Sequence, residues 1–249
     1  MAGHSQFKNI MVRKGAQDRK RGKIFTKIIR EIIVAAKASG GDIATNPRLR
    51  TAVLKARAEN MPKDKIENAI AKGTGTSDSD NYEAVRYEGF GPFGVAVIIE
   101  ALTDNRNRTV PEIRTAFTKA GGAMGETGSV AFMFDRVGLL EFDAAISTED
   151  AMLEAAIEAG ADNCESSASG HSVTSAVENF ATVRDALTKI FGEPRTAKLA
   201  WIAKTGAPVA DADVEKFFQF IETLEDNDDV QEVFSNAEID EHAAQKLSA

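Results

Sequence analysis

The chain has 249 residues, 43% of them hydrophobic, a single cysteine and a formal net charge of −8. That length and apolar content suit two or three domains, each with a core of its own. No stretch approaches the roughly 18 uninterrupted apolar residues that span a bilayer, and the N-terminus lacks the apolar core of a secretion signal. One cysteine, Cys164, leaves no internal disulfide and no cysteine-built zinc finger. A protein of the reducing cytoplasm is therefore expected, with Cys164 as a small buried apolar residue.

The charge is segregated along the chain. Up to Gly75 there are 17 Lys and Arg against 6 Asp and Glu, and beyond it 13 against 32. A basic segment concentrates phosphate-bearing polymers and an acidic one repels them, so a nucleic-acid partner is expected to meet the N-terminal end. The stretch Gly73–Asp80, small, polar and without periodicity, reads as a linker closing a first domain at about residue 75.

Three helices are predicted in that domain from their punctuation. The first runs from about Asp18 to Ser39 and stops at Gly40-Gly41. The second is capped by Asn46 with Pro47 in its first turn, and the third starts at Pro62 and stops at Gly73. Short connections make consecutive helices antiparallel, which gives a small bundle. In the first helix Ile24, Phe25, Ile28, Ile29, Ile32, Ile33 and Ala36 form one apolar stripe. Lys20, Lys23, Lys27, Arg30 and Lys37 fall on the opposite face, with only Glu31 near them to offset the charge. An ordinary solvated face mixes signs, whereas this one forgoes most pairs and suits a polyanion. Residues 1–17 read as a cationic arm in which Arg13 and Lys14 contact phosphate, Phe7 stacks on a base or docks on the helix, and His4 contacts phosphate or lies idle in solvent.

Beyond residue 80 the pattern predicts an α+β fold: strands at Ala84–Phe90 and Val95–Thr103, a helix at Val110–Ala120 opened by a Thr109/Glu112 capping box, and a strand at Val130–Phe134. A second set follows: strand Gly138–Phe142, helix Glu149–Ala159, strands Asn163–Ser167 and His171–Val177, helix Ala181–Phe191 and strand Ala197–Lys204. Helix Asp211–Leu224 and strand Val230–Ser235 cannot bury their apolar sides alone and would complete the first set. Domain two is then discontinuous, about 80–134 plus 206–249, with domain three, about 135–205, inserted in it.

Met1-Ala2-Gly3-His4-Ser5, Lys20–Glu31, Asn46-Pro47-Arg48-Leu49-Arg50, Asn60–Asp64, Tyr87–Pro92, Leu102–Thr109 and Gly125–Val130 together resemble the YebC-type family, which includes the mitochondrial translational activators of cytochrome c oxidase. The resemblance spans nearly the whole chain. It implies a helical first domain, two α/β domains and no catalytic activity. Gln6-Phe7 stands where the family commonly has Lys-Trp, and Met11-Val12 where it has Lys-His, which moves the weight of binding from residues 4–12 to the first helix and Arg13-Lys14. Arg21, Arg48 and Arg50 complete the candidate nucleic-acid set, and Arg106 and Arg108 form a possible second contact: ahead of a helix N-terminus they grip phosphates, or else they pair with nearby carboxylates and fasten the loop. Gly125–Ser129 is a comparable polar loop, expected to fix domain orientation or to touch the ligand.

Other motifs point away from catalysis. Gly89-Phe90-Gly91-Pro92-Phe93-Gly94 has the glycine spacing of a nucleotide loop, but strands on both sides make it a tight turn. His4, His171 and His242 lie far apart and no His/Cys/Asp cluster has ligand spacing, so neither metal nor cofactor is expected. The acidic run Glu222, Glu225, Asp226, Asp228, Asp229 and Glu232 reads as a solvated helix end. Two functions remain, a DNA-binding regulator of transcription and a ribosome-associated translation factor that binds ribosomal or transfer RNA. No small-molecule substrate or membrane partner is indicated, and the sequence leaves the oligomeric state open.

Overall fold

The computed structural model describes residues 17–75 and 81–240, with the helical backbone alone at 17–21. It is an α+β fold in two compact units, residues 1–134 with 203–249, and residues 135–202. The arm residues Arg13, Lys14, His4 and Phe7, and His242, lie outside the described residues.

The first unit opens with α1 (Gln17–Ser39), α2 (Pro47–Ala58) and α3 (Lys63–Thr74). The apolar stripe of α1 is the core of this bundle: Ile28, Ile32, Ile33, Ala35 and Ala36 are buried against Leu49, Val53 and Ala56 of α2 and Ile66 and Ala69 of α3. Asn46 caps α2, accepting from the Leu49 amide at 3.0 Å, and its own amide donates to the carbonyls of Ala35 and Gly40, each at 2.8 Å. That side chain is 1% exposed, so one residue starts α2 and ties it to the end of α1. At Gly73 a Cβ would lie 2.5 Å from the Ile33 carbonyl oxygen, so the residue there lets α3 lie against the backbone of α1. The start of α2 thus meets the end of α1 while Lys55 lies near Lys27, and α2 runs antiparallel to α1. Lys65 lies over Phe25 while Gly73 meets Ile33, and α3 runs parallel to α1.

The same unit holds the antiparallel sheet β3-β1-β2-β9, made of β1 (Glu83–Phe90), β2 (Ala96–Thr103), β3 (Ala123–Met124) and β9 (Val230–Ser235). Alternate residues Val85, Tyr87, Val97 and Ile99 bury one face against α4 (Arg106–Ala120) and α7 (Val214–Glu225). Phe117 and Phe220 meet edge-on at 5.1 Å in that layer. Gly121, in the left-handed region at φ 86°, ends α4. The short strands β8 (Ala207–Pro208) and β10 (Ala237–Glu238) pair in parallel.

Two expectations are corrected here. Helix α4 begins a turn earlier than predicted, at Arg106, with Asn105 rather than Thr109 as its cap, accepting from the Arg108 amide at 3.1 Å. Thr109 instead turns its hydroxyl inward, to the carboxylate of Asp229. Val130–Phe134 is not a strand. The amides of Val130 and Ala131 are taken by the Glu88 carboxylate at 3.0 and 2.9 Å, a 3-10 turn covers Ala131–Met133, and the strand paired with β1 is the two-residue β3.

The second unit is the sheet β5-β6-β4-β7, from β4 (Phe134–Phe142), β5 (Asn163–Ser167), β6 (Gly170–Ser175) and β7 (Thr196–Ala203). Its core joins Leu140, Phe142 and Val173 to Met152 and Ala156 of α5 (Glu149–Glu158) and Val183 and Leu187 of α6 (Phe180–Phe191).

Candidate nucleic-acid interface

Part of the cationic face of α1 is covered by the protein itself, while Lys37 is exposed. Lys23, Lys27 and Arg30, at four- and three-residue spacing, lie on one side of the helix and meet the end of α7. Lys23 Nζ donates to the Asp226 carbonyl at 3.1 Å and pairs with its carboxylate at 2.9 Å. Lys27 Nζ donates to the Glu225 carbonyl at 2.7 Å, and Arg30 to the Asp228 carbonyl at 2.6 Å. The last turn of α7 has no basic residue. Three cations from α1 thus satisfy carbonyls at and just beyond the negative end of α7. Burial lowers the Lys27 pKa, with Lys55 and Lys23 acting in the same direction and Glu225 and Asp228 opposing.

Asp229 is the centre of this contact and the main departure from the solvated acidic run expected there. It is 2% exposed. Its carboxylate accepts from Arg30, from Arg108 at 2.7 and 2.9 Å, from Thr109 Oγ1 at 2.6 Å and from Thr103 Oγ1 at 3.2 Å. Burial alone would raise its pKa, but Arg108, Thr109 and Arg30 outweigh it and hold the carboxyl below its ordinary value. One buried carboxylate therefore joins α1, the end of β2, the start of α4 and the loop before β9.

Arg108 also bonds Asp104 at 2.8 Å, and these two carboxylates push its pKa up. Arg106 stands 3.8 Å from Glu83. Both arginines of this pair thus face carboxylates. Arg48 grips Glu31 through two nitrogens at 2.7 and 3.1 Å. Arg50 bonds the carbonyls of Ile43 and Ala44, and Lys37 reaches Asn81 at 2.9 Å. Lys20 and Arg21 lie in the first turns of α1, and their side chains are outside the described residues.

The helix directions gather other cations that no local sequence pattern had singled out. A tight turn, with the Met61 amide on the Ala56 carbonyl at 2.9 Å, sets the end of α2 beside the start of α3. Lys55 and Arg57 are exposed on the first, Lys63 and Lys65 on the second. Lys55 is close enough to Lys27 to lower its pKa, and Lys65 sits over the Phe25 ring at 5.6 Å. These four residues therefore lie at the end of the bundle formed by the turn between α2 and α3, beside Phe25 and Lys27, about two to three turns into α1. Glu59, Asp64 and Glu67 are in the same segments, and Glu67 is 3.4 Å from Lys63.

The Gly89–Gly94 segment is a turn: the Gly91 amide donates to the Val95 carbonyl at 2.7 Å, and Phe93 takes a positive φ of 63°. The Gly125–Ser129 loop leads to residues pinned by Glu88. That carboxyl is raised by burial, but the amides of Val130, Gly128 and Ala131, with Arg86, lower it overall. His171 is buried, with Nδ1 2.7 Å from Ser166 Oγ and Nε2 3.2 Å from the Ser147 carbonyl. Cys164 is half-buried rather than buried, and burial raises its pKa. Among the described residues no group of His, Cys, Asp and Glu could hold a metal ion, and no helix is long and apolar enough to cross a membrane.

Two family models match this chain. Residues 5–76 match the TACO1/YebC protein N-terminal domain, and residues 82–237 match the TACO1/YebC second and third domain. The chain belongs to the TACO1/YebC family. A crystal structure of a conserved hypothetical protein from Aquifex aeolicus is similar to it at 41% identity and a TM-score of 0.82, covering 90% of this chain and 93% of that one. The boundary between the two family matches falls at residues 77–81, after α3 and before β1.

Proposed function

We propose that the chain is a non-enzymatic, cytoplasmic regulator of gene expression that binds nucleic acid at the end of its helical bundle. We read domain one as residues 1–75, domain two as 80–134 with 206–249, and domain three as 135–205. The observation that carries the proposal is the convergence of Lys55, Arg57, Lys63 and Lys65 at the turn between α2 and α3, beside Phe25 and Lys27 of α1. Arg13, Lys14, Lys20 and Arg21 belong to the same N-terminal segment, which carries +11 against −19 for the remainder. Lys23, Lys27 and Arg30 are the part of the set closest to α7, while Arg48, Arg50, Arg106 and Arg108 serve chiefly to position the surface.

The family matched by residues 82–237 is named for transcriptional regulation, and a regulator of transcription takes DNA as its partner. A ribosome-associated role in translation, on ribosomal or transfer RNA, is favoured by another observation: three of the four converging exposed cations are lysines, which suit phosphates, and phosphate contacts alone suit shape recognition. Footprinting on genomic fragments separates the two. A DNA regulator protects discrete sites with affinity above random DNA by a factor of about 10³ or more. Uniform weak DNA binding with salt-sensitive sedimentation on ribosomal particles assigns the protein to translation. Absence of both refutes the nucleic-acid reading.

A further inference from the structure

The contact between α1 and the end of α7 is graded in burial. At its inner end the Arg30 and Asp229 side chains are 13% and 3% exposed, while at its outer end those of Lys23 and Asp226 are 38% and 69% exposed. Exposed ion pairs contribute little and are screened by salt, whereas a buried, hydrogen-bonded pair is costly to break. Lys27 stands between the two, with Lys55 of the proposed binding surface close to it. The oxygens that Lys23 and Lys27 hold are those of the chain's own acidic helix end, Glu225 and Asp226, with Asp228 nearby.

We propose that residues 225–228 are an internal competitor for the binding cations. In the closed state they occupy Lys23 and Lys27. When nucleic acid lies on the bundle end, these two lysines exchange carbonyl and carboxylate oxygens for phosphate oxygens, while Arg30 and Asp229 remain together as the fixed point of the opening. The device rests on the nucleic-acid reading above and adds to it a cost of binding set by the protein's own acidic segment. It also makes the acidic segment a filter, since a partner must offer enough phosphate contacts to displace it.

The test uses the full chain and a fluorescent 20-nucleotide probe, offered as single-stranded RNA and as duplex DNA. E225Q/D226N/D228N removes three charges from the competitor, and removing negative charge at a helix C-terminus does not weaken that helix. D211N/E238Q/D240N removes three exposed acidic charges elsewhere in the same unit and controls for net charge. The competitor variant is expected to bind the probe roughly three- to tenfold more tightly than the control variant, the scale of a few exposed pairs. A zero-length carbodiimide cross-link between Lys23 and Asp226, mapped in the wild-type protein, is expected to fade as probe is added. Equal affinity of the two variants with the cross-link retained at saturating probe overturns the competitor and leaves the binding surface standing. No binding of either probe by any form overturns the nucleic-acid reading and the competitor with it.

Discussion

Replacing Asp229 tests the architecture around the proposed interface. Asp229→Ala leaves Arg30, Arg108, Thr103 and Thr109 without their shared acceptor. Thr103 and Thr109 are 0% exposed and can bond each other at 2.7 Å, so the hydroxyls recover part of the loss. Arg108 is 43% exposed and keeps Asp104, so its share is small after screening. Arg30, 13% exposed, carries most of the penalty. Removing one partner of a buried pair costs about 3–5 kcal/mol, and the partial compensation here places the expected loss near the lower end, about 3 kcal/mol. Asp229→Asn keeps the shape and two lone pairs and should lose about half as much. Urea unfolding of the wild type, both variants and Arg30→Met measures this, and a double-mutant cycle isolates the Arg30–Asp229 coupling, expected at about 1.5–3 kcal/mol. An Asp229→Asn protein within about 0.5 kcal/mol of wild type would refute the assignment of Asp229 as the junction of α1 with the sheet.

Other outcomes follow from the same geometry. Asp229 and Glu88 both have pKa values held below their unfolded ones, so their contribution is fully present at neutral pH and declines as the pH falls through the ordinary carboxylate range of about 4 toward the lower folded values. Urea midpoints between pH 7 and pH 3 should show that decline, and Asp229→Asn should flatten it; an unchanged slope contradicts the assignment. Asn46→Ala removes a cap and strands the Ala35 and Gly40 carbonyls, and is expected to cost about 2–3 kcal/mol in thermal or urea unfolding, whereas a cost below about 0.5 kcal/mol would show that the three bonds contribute little.

Much of this fold is legible in the sequence because its signals are local. Asn46-Pro47 announces the start of α2, Gly121 the end of α4, and the spacing of the α1 isoleucines a buried stripe. Errors arise where a distant side chain overrides local pattern. The apolar run Val130–Phe134 has the look of a strand, but its first amides are claimed by Glu88, some forty residues earlier. Thr109 has the spacing of a cap, yet Asp229 draws its hydroxyl inward and Asn105 caps in its place. The site is less legible than the fold for the same reason. The partners of Lys23, Lys27 and Arg30 lie about 200 residues away, and a run of acidic residues carries no mark that one of them is buried. Lys55, Arg57, Lys63 and Lys65 sit on two helices, and only the opposite directions of α2 and α3 bring them to one end of the bundle. The turn at Asn60-Met61-Pro62, between the two helices, is the local signal that points to their meeting.

The most direct test of the central claim is the salt dependence of nucleic-acid binding by K55Q/R57Q/K63Q/K65Q. These positions are exposed, so the fold should persist, with circular dichroism as the check. Each phosphate that is no longer neutralised should reduce the slope of log Kobs against log salt by about 0.9 on duplex DNA or about 0.7 on single strands, giving a reduction of roughly 2–4 together with weaker binding at low salt. R114Q/K119Q, on exposed positions of α4, should leave the slope unchanged. A quadruple variant with the slope and affinity of wild type would place the nucleic acid elsewhere on the protein and contradict the account.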